Sequence, residues 1–134
     1  DNTIVPGNTY YYRIRTYQAG SYSPYSEEKS IYSRIIPPPS PTGLYVSYYT
    51  GTGIMDLAWN FGTTPITKFL IERKNVTDGG SFVQLAEVDG TIKIYQDLTT
   101  ECQKTYIYRI KSYDGYVSSQ ASNEITITNS DICE

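Results

Sequence analysis

Thr105-Tyr106-Ile107-Tyr108-Arg109-Ile110-Lys111-Ser112-Tyr113 is a strand with one face turned inward, by its period of two. The same stretch occurs earlier, as Thr9-Tyr10-Tyr11-Tyr12-Arg13-Ile14-Arg15-Thr16-Tyr17, 96 positions back and without a gap. Six of the nine positions are identical, and two more exchange Lys for Arg and Ser for Thr. A period of that size is a domain, not a solenoid turn. The sequence therefore predicts the tail of one β-module followed by the whole of the next.

Composition agrees. The chain has 134 residues, with 15 Tyr against 3 Phe and 1 Trp. Tyr, Thr, Ile and Val suit strands. Ten Gly and seven Pro punctuate the chain at strand-length intervals. The net charge of −3 mixes both signs without a basic stripe, so no nucleic-acid partner is expected. No apolar run is long enough to predict membrane insertion. The sequence opens without Met or a leader pattern, as an internal piece or a mature product does.

Residues 1–34 read as one hairpin, with strands at 9–17 and 25–36 and a turn at Gln18-Ala19-Gly20-Ser21. A lone hairpin is marginal in water, and Tyr10, Tyr12 and Ile14 would lie bare. A neighbouring copy or further strands must cover them. Residues 35–41, with four prolines in Pro37-Pro38-Pro39-Ser40-Pro41, read as an extended spacer. Residues 42–129 form the complete module, and 130–134 a C-terminal tail. Its strands are expected at 43–49, 54–60, 67–74, 82–88, 91–96, 105–113 and 122–128. Met55, Leu57 and Trp59 share one face, as do Phe69 and Ile71, and as do Tyr106, Tyr108 and Ile110. Seven short alternating strands without a helical stripe predict an all-β antiparallel sandwich.

Several tokens in order extend this reading: Pro41-Thr42-Gly43-Leu44, Leu57-Ala58-Trp59, Phe69-Leu70-Ile71-Glu72-Arg73, Leu98, Thr105-Tyr106-Ile107-Tyr108-Arg109-Ile110, and Ser118-Ser119-Gln120-Ala121-Ser122. Together they resemble the fibronectin type III domain over nearly all of the complete module. Ile4-Val5-Pro6-Gly7-Asn8-Thr9-Tyr10 and Ser21-Tyr22-Ser23-Pro24-Tyr25-Ser26 repeat the second half of the pattern. The resemblance implies a seven-stranded immunoglobulin-like sandwich, preceded by a partial module. It also implies that Trp59 is the core tryptophan and Leu98 a core leucine. Tyr106 becomes the corner tyrosine, its hydroxyl bonded to backbone near Leu98. Leu98 stands eight residues before Tyr106, whereas Ile4 stands six before Tyr10, so two extra residues are expected at that corner.

Candidate chemistry is sparse. His is absent, which removes the commonest general base and metal ligand. No catalytic constellation, cofactor site or metal site is expected. Cys102 precedes one strand and Cys133 follows its partner, which permits a bridge, an inter-subunit bond or two free thiols. Asn75-Val76-Thr77 is a glycosylation sequon in a eukaryotic secreted protein and carries no meaning in most bacterial ones. Tyr11, Tyr17, Tyr22, Tyr25, Tyr113 and Tyr116 are candidate contact residues, because exposed Tyr offers rigid amphipathic area.

Three roles follow. The first is a structural and interaction module of an extracellular array, filament, appendage or virion, acting by spacing and packing against other copies of itself or neighbouring domains. The second is a receptor or adhesin ectodomain with a protein or glycan ligand. The third is an accessory module of a secreted polysaccharide-degrading enzyme.

Overall fold

A computed structural model describes residues 1–133. The chain divides into two compact units, Asp1–Ile36 and Pro37–Glu134.

In the second unit the alternation at 105–113 organises two sheets. Strand β10 (Thr105–Tyr113) alternates half-buried and buried along all nine residues. It is an inner strand of a four-stranded sheet ordered β11-β10-β7-β8, with β7 at Lys68–Asn75, β8 at Val83–Asp89 and β11 at Ile125–Thr128. A three-stranded sheet, β5-β6-β9, uses Thr42–Tyr49, Ile54–Asn60 and Ile94–Asp97. All pairings are antiparallel. The inward rows meet in one core: Leu44 and Val46, then Met55, Leu57 and Trp59, then Phe69 and Ile71, then Tyr106, Tyr108 and Ile110. Trp59 and Phe61 both meet the Phe69 ring nearly edge-on, with centroids 5.3 and 5.1 Å away. That geometry suits the aromatic quadrupole and adds about 1 kcal/mol per pair beyond area burial.

Five of the seven strands start within one residue of expectation, and two start three residues late, each for a local reason. Strand β9 begins at Ile94 instead of Thr91, because Asp89 accepts from both Thr91 N and Thr91 Oγ1 and closes a turn. Strand β11 begins at Ile125 instead of Ser122. Ser122 Oγ accepts the Ile110 N–H at 3.0 Å and Ser119 Oγ accepts the Ser112 N–H at 3.0 Å, so serine side chains supply half of the ladder there, beside the backbone bonds from Ser122 N and Ser119 N.

In the first unit, β1 (Thr9–Tyr12) pairs with β4 (Lys29–Tyr32), and β2 (Tyr17–Gln18) with β3 (Ser21–Tyr22). Ala19 and Gly20 both have positive φ, 48° and 84°, as a two-residue turn matched to strand twist requires.

The two units share a hairpin, bond for bond, at a constant offset of 96. Thr9 faces Tyr32 as Thr105 faces Thr128. Ser26 Oγ accepts from Ile14 N and Ser23 Oγ from Thr16 N, matching Ser122 and Ser119. Val5 N donates to Tyr10 Oη at 2.7 Å, and Glu101 N to Tyr106 Oη at 2.9 Å. Gly7 at φ +87° is matched by Gln103 at φ +60°. The match holds back to the first residue: Asp1 accepts from Thr3 N, Thr3 Oγ1 and Tyr12 Oη, and Asp97 from Thr99 N, Thr99 Oγ1 and Tyr108 Oη.

This corrects two expectations. The corner carries no extra residues: Leu98 corresponds to Asn2, and Thr100 to Ile4. Leu98 is not a core residue but is 66% exposed. The inward position at the end of β9 belongs to Asp97, and strand alternation turns the next residue outward.

Candidate interaction surfaces

The most site-like cluster of the second unit lies between its sheets. Asp97, fully buried, ends β9. Its Oδ2 accepts from Tyr108 Oη at 2.7 Å and Arg73 Nη1 at 2.6 Å, while Oδ1 takes Thr99 N and Oγ1. Burial alone would raise its pKa. The Tyr108, Thr99 and Arg73 hydrogen bonds override burial and hold the carboxyl below its ordinary value. Burial, then the adjacent carboxylate, pushes the Tyr108 phenol up. A carboxylate so saturated and so far from solvent is poor material for proton transfer. It staples β9 to β7 and β10. Sequence reasoning missed this cluster, although Asp1-Asn2-Thr3 repeated in Asp97-Leu98-Thr99 was its signal.

The outer face of the four-stranded sheet is charged. Glu72 accepts from Arg109 Nε and from Lys111 Nζ, the latter at 3.0 Å, and Arg109 also lies over the Phe82 ring at 3.7 Å. Burial would raise the pKa of Glu72, but the two cations lower it.

The outer face of the three-stranded sheet holds a shallow groove of about 580 Å³, lined by Tyr45, Ser47, Tyr49, Asp56, Ala58 and Ile94 among others. Tyr45 and Tyr49 are 65% and 54% exposed and flank a polar row in which Gln96 Nε2 donates to Asp56 Oδ1.

The first unit carries a ladder of rings and guanidinium groups. Tyr17 and Tyr22 meet at 4.8 Å, Arg15 lies over Tyr22 and Tyr25 at 3.8 and 4.7 Å, and Arg13 lies over Tyr25 at 3.9 Å. These rings, together with Tyr11, are largely exposed. In the second unit Tyr116 is exposed, whereas Tyr113 is half-buried with Lys68 Nζ 5.5 Å from its ring. The six tyrosines singled out from sequence are thus divided between the two units.

Of the structural residues, Leu57, Trp59, Phe69, Ile71, Tyr106, Tyr108 and Ile110 are buried. The indole N–H of Trp59 has no acceptor among the described residues. Asn75 closes β7, and its amide is engaged twice by Asp78, as donor to Oδ2 and as acceptor from the backbone N–H. Cys102 and Cys133 form a disulfide with Cα atoms 5.5 Å apart. It ties the 130–133 segment to the corner before β10, where Asp131 also accepts from Gly51 N and Gly53 N.

No protein-family model matches the chain, and no curated protein matches its sequence. Solved structures do match. The FN1–FN3 domains of chicken CNTN1 are similar over 95% of this chain and 44% of that one, with a TM-score of 0.59 at 16% identity. A segment of titin domains is similar over 98% of this chain and 44% of its own, with a TM-score of 0.66 at 14% identity. The chain therefore spans under half the length of these two. An Fn3-like protein from Clostridium thermocellum is similar over 66% of this chain and 90% of its own, with a TM-score of 0.56 at 22% identity. At such identities the likeness speaks for fold alone, and it agrees with the two sheets, the tyrosine corner and the core tryptophan: the chain has the fibronectin type III fold.

Proposed function

We propose that the chain is a non-catalytic spacing and contact module of a tandem extracellular array, in a filament, appendage, virion or surface protein. One observation carries this: the hairpin at 97–129 is repeated, bond for bond, at 1–33. Residues 1–34 then belong to a preceding module, and the Pro-rich residues 35–41 serve as a stiff spacer. The disulfide fits an oxidising compartment. Exposed tyrosines supply contact area toward other copies or neighbouring domains.

The experiment is the mass of native material by light scattering, with reducing and non-reducing electrophoresis. Large assemblies support the array. A free species of about this chain's mass overturns it.

A second reading, a ligand-binding or accessory module for glycans, is favoured by the groove in which Tyr45 and Tyr49 flank Asp56 and Gln96. Retention on immobilised polysaccharide that Tyr45→Ala abolishes would move it to first place.

A further inference from the structure

The hairpin of the first unit has the bonds of its counterpart but lacks the surroundings. Three things are missing. The first is a strand: β10 pairs with β7 through Tyr106–Tyr113, whereas the equivalent edge at 10–17 pairs with no strand among the described residues. The second is cover. Tyr108 and Ile110 are fully buried, while their equivalents Tyr12 and Ile14 are 40% and 76% exposed. The third is charge. Asp97 has Arg73, whereas Asp1 has only hydroxyl and backbone donors among the described residues. Arg109 and Lys111 share Glu72, whereas Arg13 and Arg15 have no carboxylate within ion-pair distance among the described residues.

A single kind of object supplies all three. In the second unit it is the five-strand half β5–β9, whose third strand carries Glu72 and Arg73 side by side, one facing out and one facing in. Asp97 is the last residue of β9, and Asp1 is its equivalent 96 positions earlier.

We infer that residues 1–36 are a docking face for a five-strand half-sandwich of the same module type. Its third strand pairs with β1 and bears an adjacent acidic–basic pair. The basic side chain reaches Asp1 between the sheets, and the acidic one reaches Arg13 and Arg15 on the outer face. The exposed edge and the inner apolar row are both covered by that docking. The arginines leave the tyrosine ladder, or share it, when the carboxylate arrives.

The constant offset of 96 makes the test direct. Residues 37–96 are spliced, without a linker, ahead of Asp1 of the full chain, so that Gln96 precedes Asp1 as it naturally precedes Asp97. Amide hydrogen exchange at residues 10–17 is then compared with the unspliced chain. Docking slows exchange there by about 100-fold or more, the difference between a frayed edge and a core strand. Unchanged exchange overturns the inference. Charge specificity is read with Arg73→Asp in the added copy, which loses the protection, and with the same change combined with Asp1→Arg, which restores it. No restoration overturns the acidic–basic assignment. Sedimentation of the unspliced chain completes the test: a monomer is expected, and a dimer abolished by Ile14→Glu would make a second copy the occupant and overturn the inference. Docking rests on the tandem reading above, yet the two fail separately, because the spliced chain reports on docking and native assembly size reports on the array.

Discussion

Tyr12 and Tyr108 each donate a hydroxyl to a carboxylate eleven residues earlier, at 3.0 Å to Asp1 and 2.7 Å to Asp97. Around Tyr108 the bond is dry, and Arg73 completes it. Around Tyr12 it is open to water. The same contrast runs along both hairpins: one set of corner bonds, serine bridges and cross-strand pairs, in two surroundings. The hairpin's shape is thus written in its own residues, through Asp-x-Thr, the corner tyrosine and the two serines. Its burial is not, because the buried area comes from strands remote in sequence. Hairpins alone are marginal, so the free energy that makes the second unit a module resides in the contact between its sheets.

The sharpest way to break this comparison is to remove that contact. Trp59→Ala deletes the largest side chain that the three-stranded sheet places in the core. It should cost the second unit about 3–5 kcal/mol, read as a fall in its melting temperature by circular dichroism. The hydrogen bonds at 1–33 should be untouched, read by exchange at Tyr10 and Ser33. An unchanged melt would show that the sheets do not depend on Trp59. Reducing the Cys102–Cys133 bridge comes next. It closes a 31-residue separation that contains the whole β10–β11 hairpin, so its loss should cost about 2–4 kcal/mol by the chain-entropy estimate, measured by melting with and without reductant. The equivalent positions, Pro6 in the first unit and Pro37 at the start of the second, hold no cysteine, so the first unit should not respond.

Asp97 separates the two hairpins by pH as well as by mutation. Its folded pKa lies below the unfolded value, so the stability it contributes is present above the unfolded pKa of about 4 and is lost as pH falls through the folded value. Asp97→Asn should cost about 3 kcal/mol at neutral pH, by leaving Arg73 without its anion, and should flatten the acid limb of the second unit's stability curve. Asp1→Asn should leave that curve unchanged. Equal effects from the two would mean that burial adds nothing to the shared bond.

How much of this was legible in advance follows from what each residue must do. Alternation alone placed Trp59, Phe69, Ile71, Tyr106, Tyr108 and Ile110, because a period of two leaves a half-buried strand no other choice. The resemblance points Leu98 inward, and the sequence reading passes over Asp97, the residue that is buried. At a strand's end the pattern runs out, and an acid beside a leucine looks like the solvent-facing member of the pair. Only the partners Arg73 and Tyr108, 24 and 11 positions away, make the acid the inward one. Exposure of Tyr17, Tyr22 and Tyr25 was expected from position. The stacking of Arg13 and Arg15 on Tyr22 and Tyr25 was not, since it depends on cross-strand register set by the Ser23 and Ser26 bridges.

The smallest effect tests the corner itself. Gln103 occupies at φ +60° the place that Gly7 fills at φ +87°. A side chain in the left-handed region costs about 1 kcal/mol. Against that, Gln103 Nε2 donates to Ser130 O and Asp131 O, at 3.3 and 2.7 Å, on the exposed tail that the disulfide anchors. Two such bonds near solvent are together worth about 1 kcal/mol. Gln103→Gly should therefore leave stability within about 0.5 kcal/mol of the parent, read from the denaturation midpoint with the bridge intact. With the bridge reduced the tail loosens and the bonds weaken, so the glycine variant should become the more stable of the two. A loss that persists under reduction would mean that the glutamine holds the tail without help, and that the two corners differ by more than the bridge.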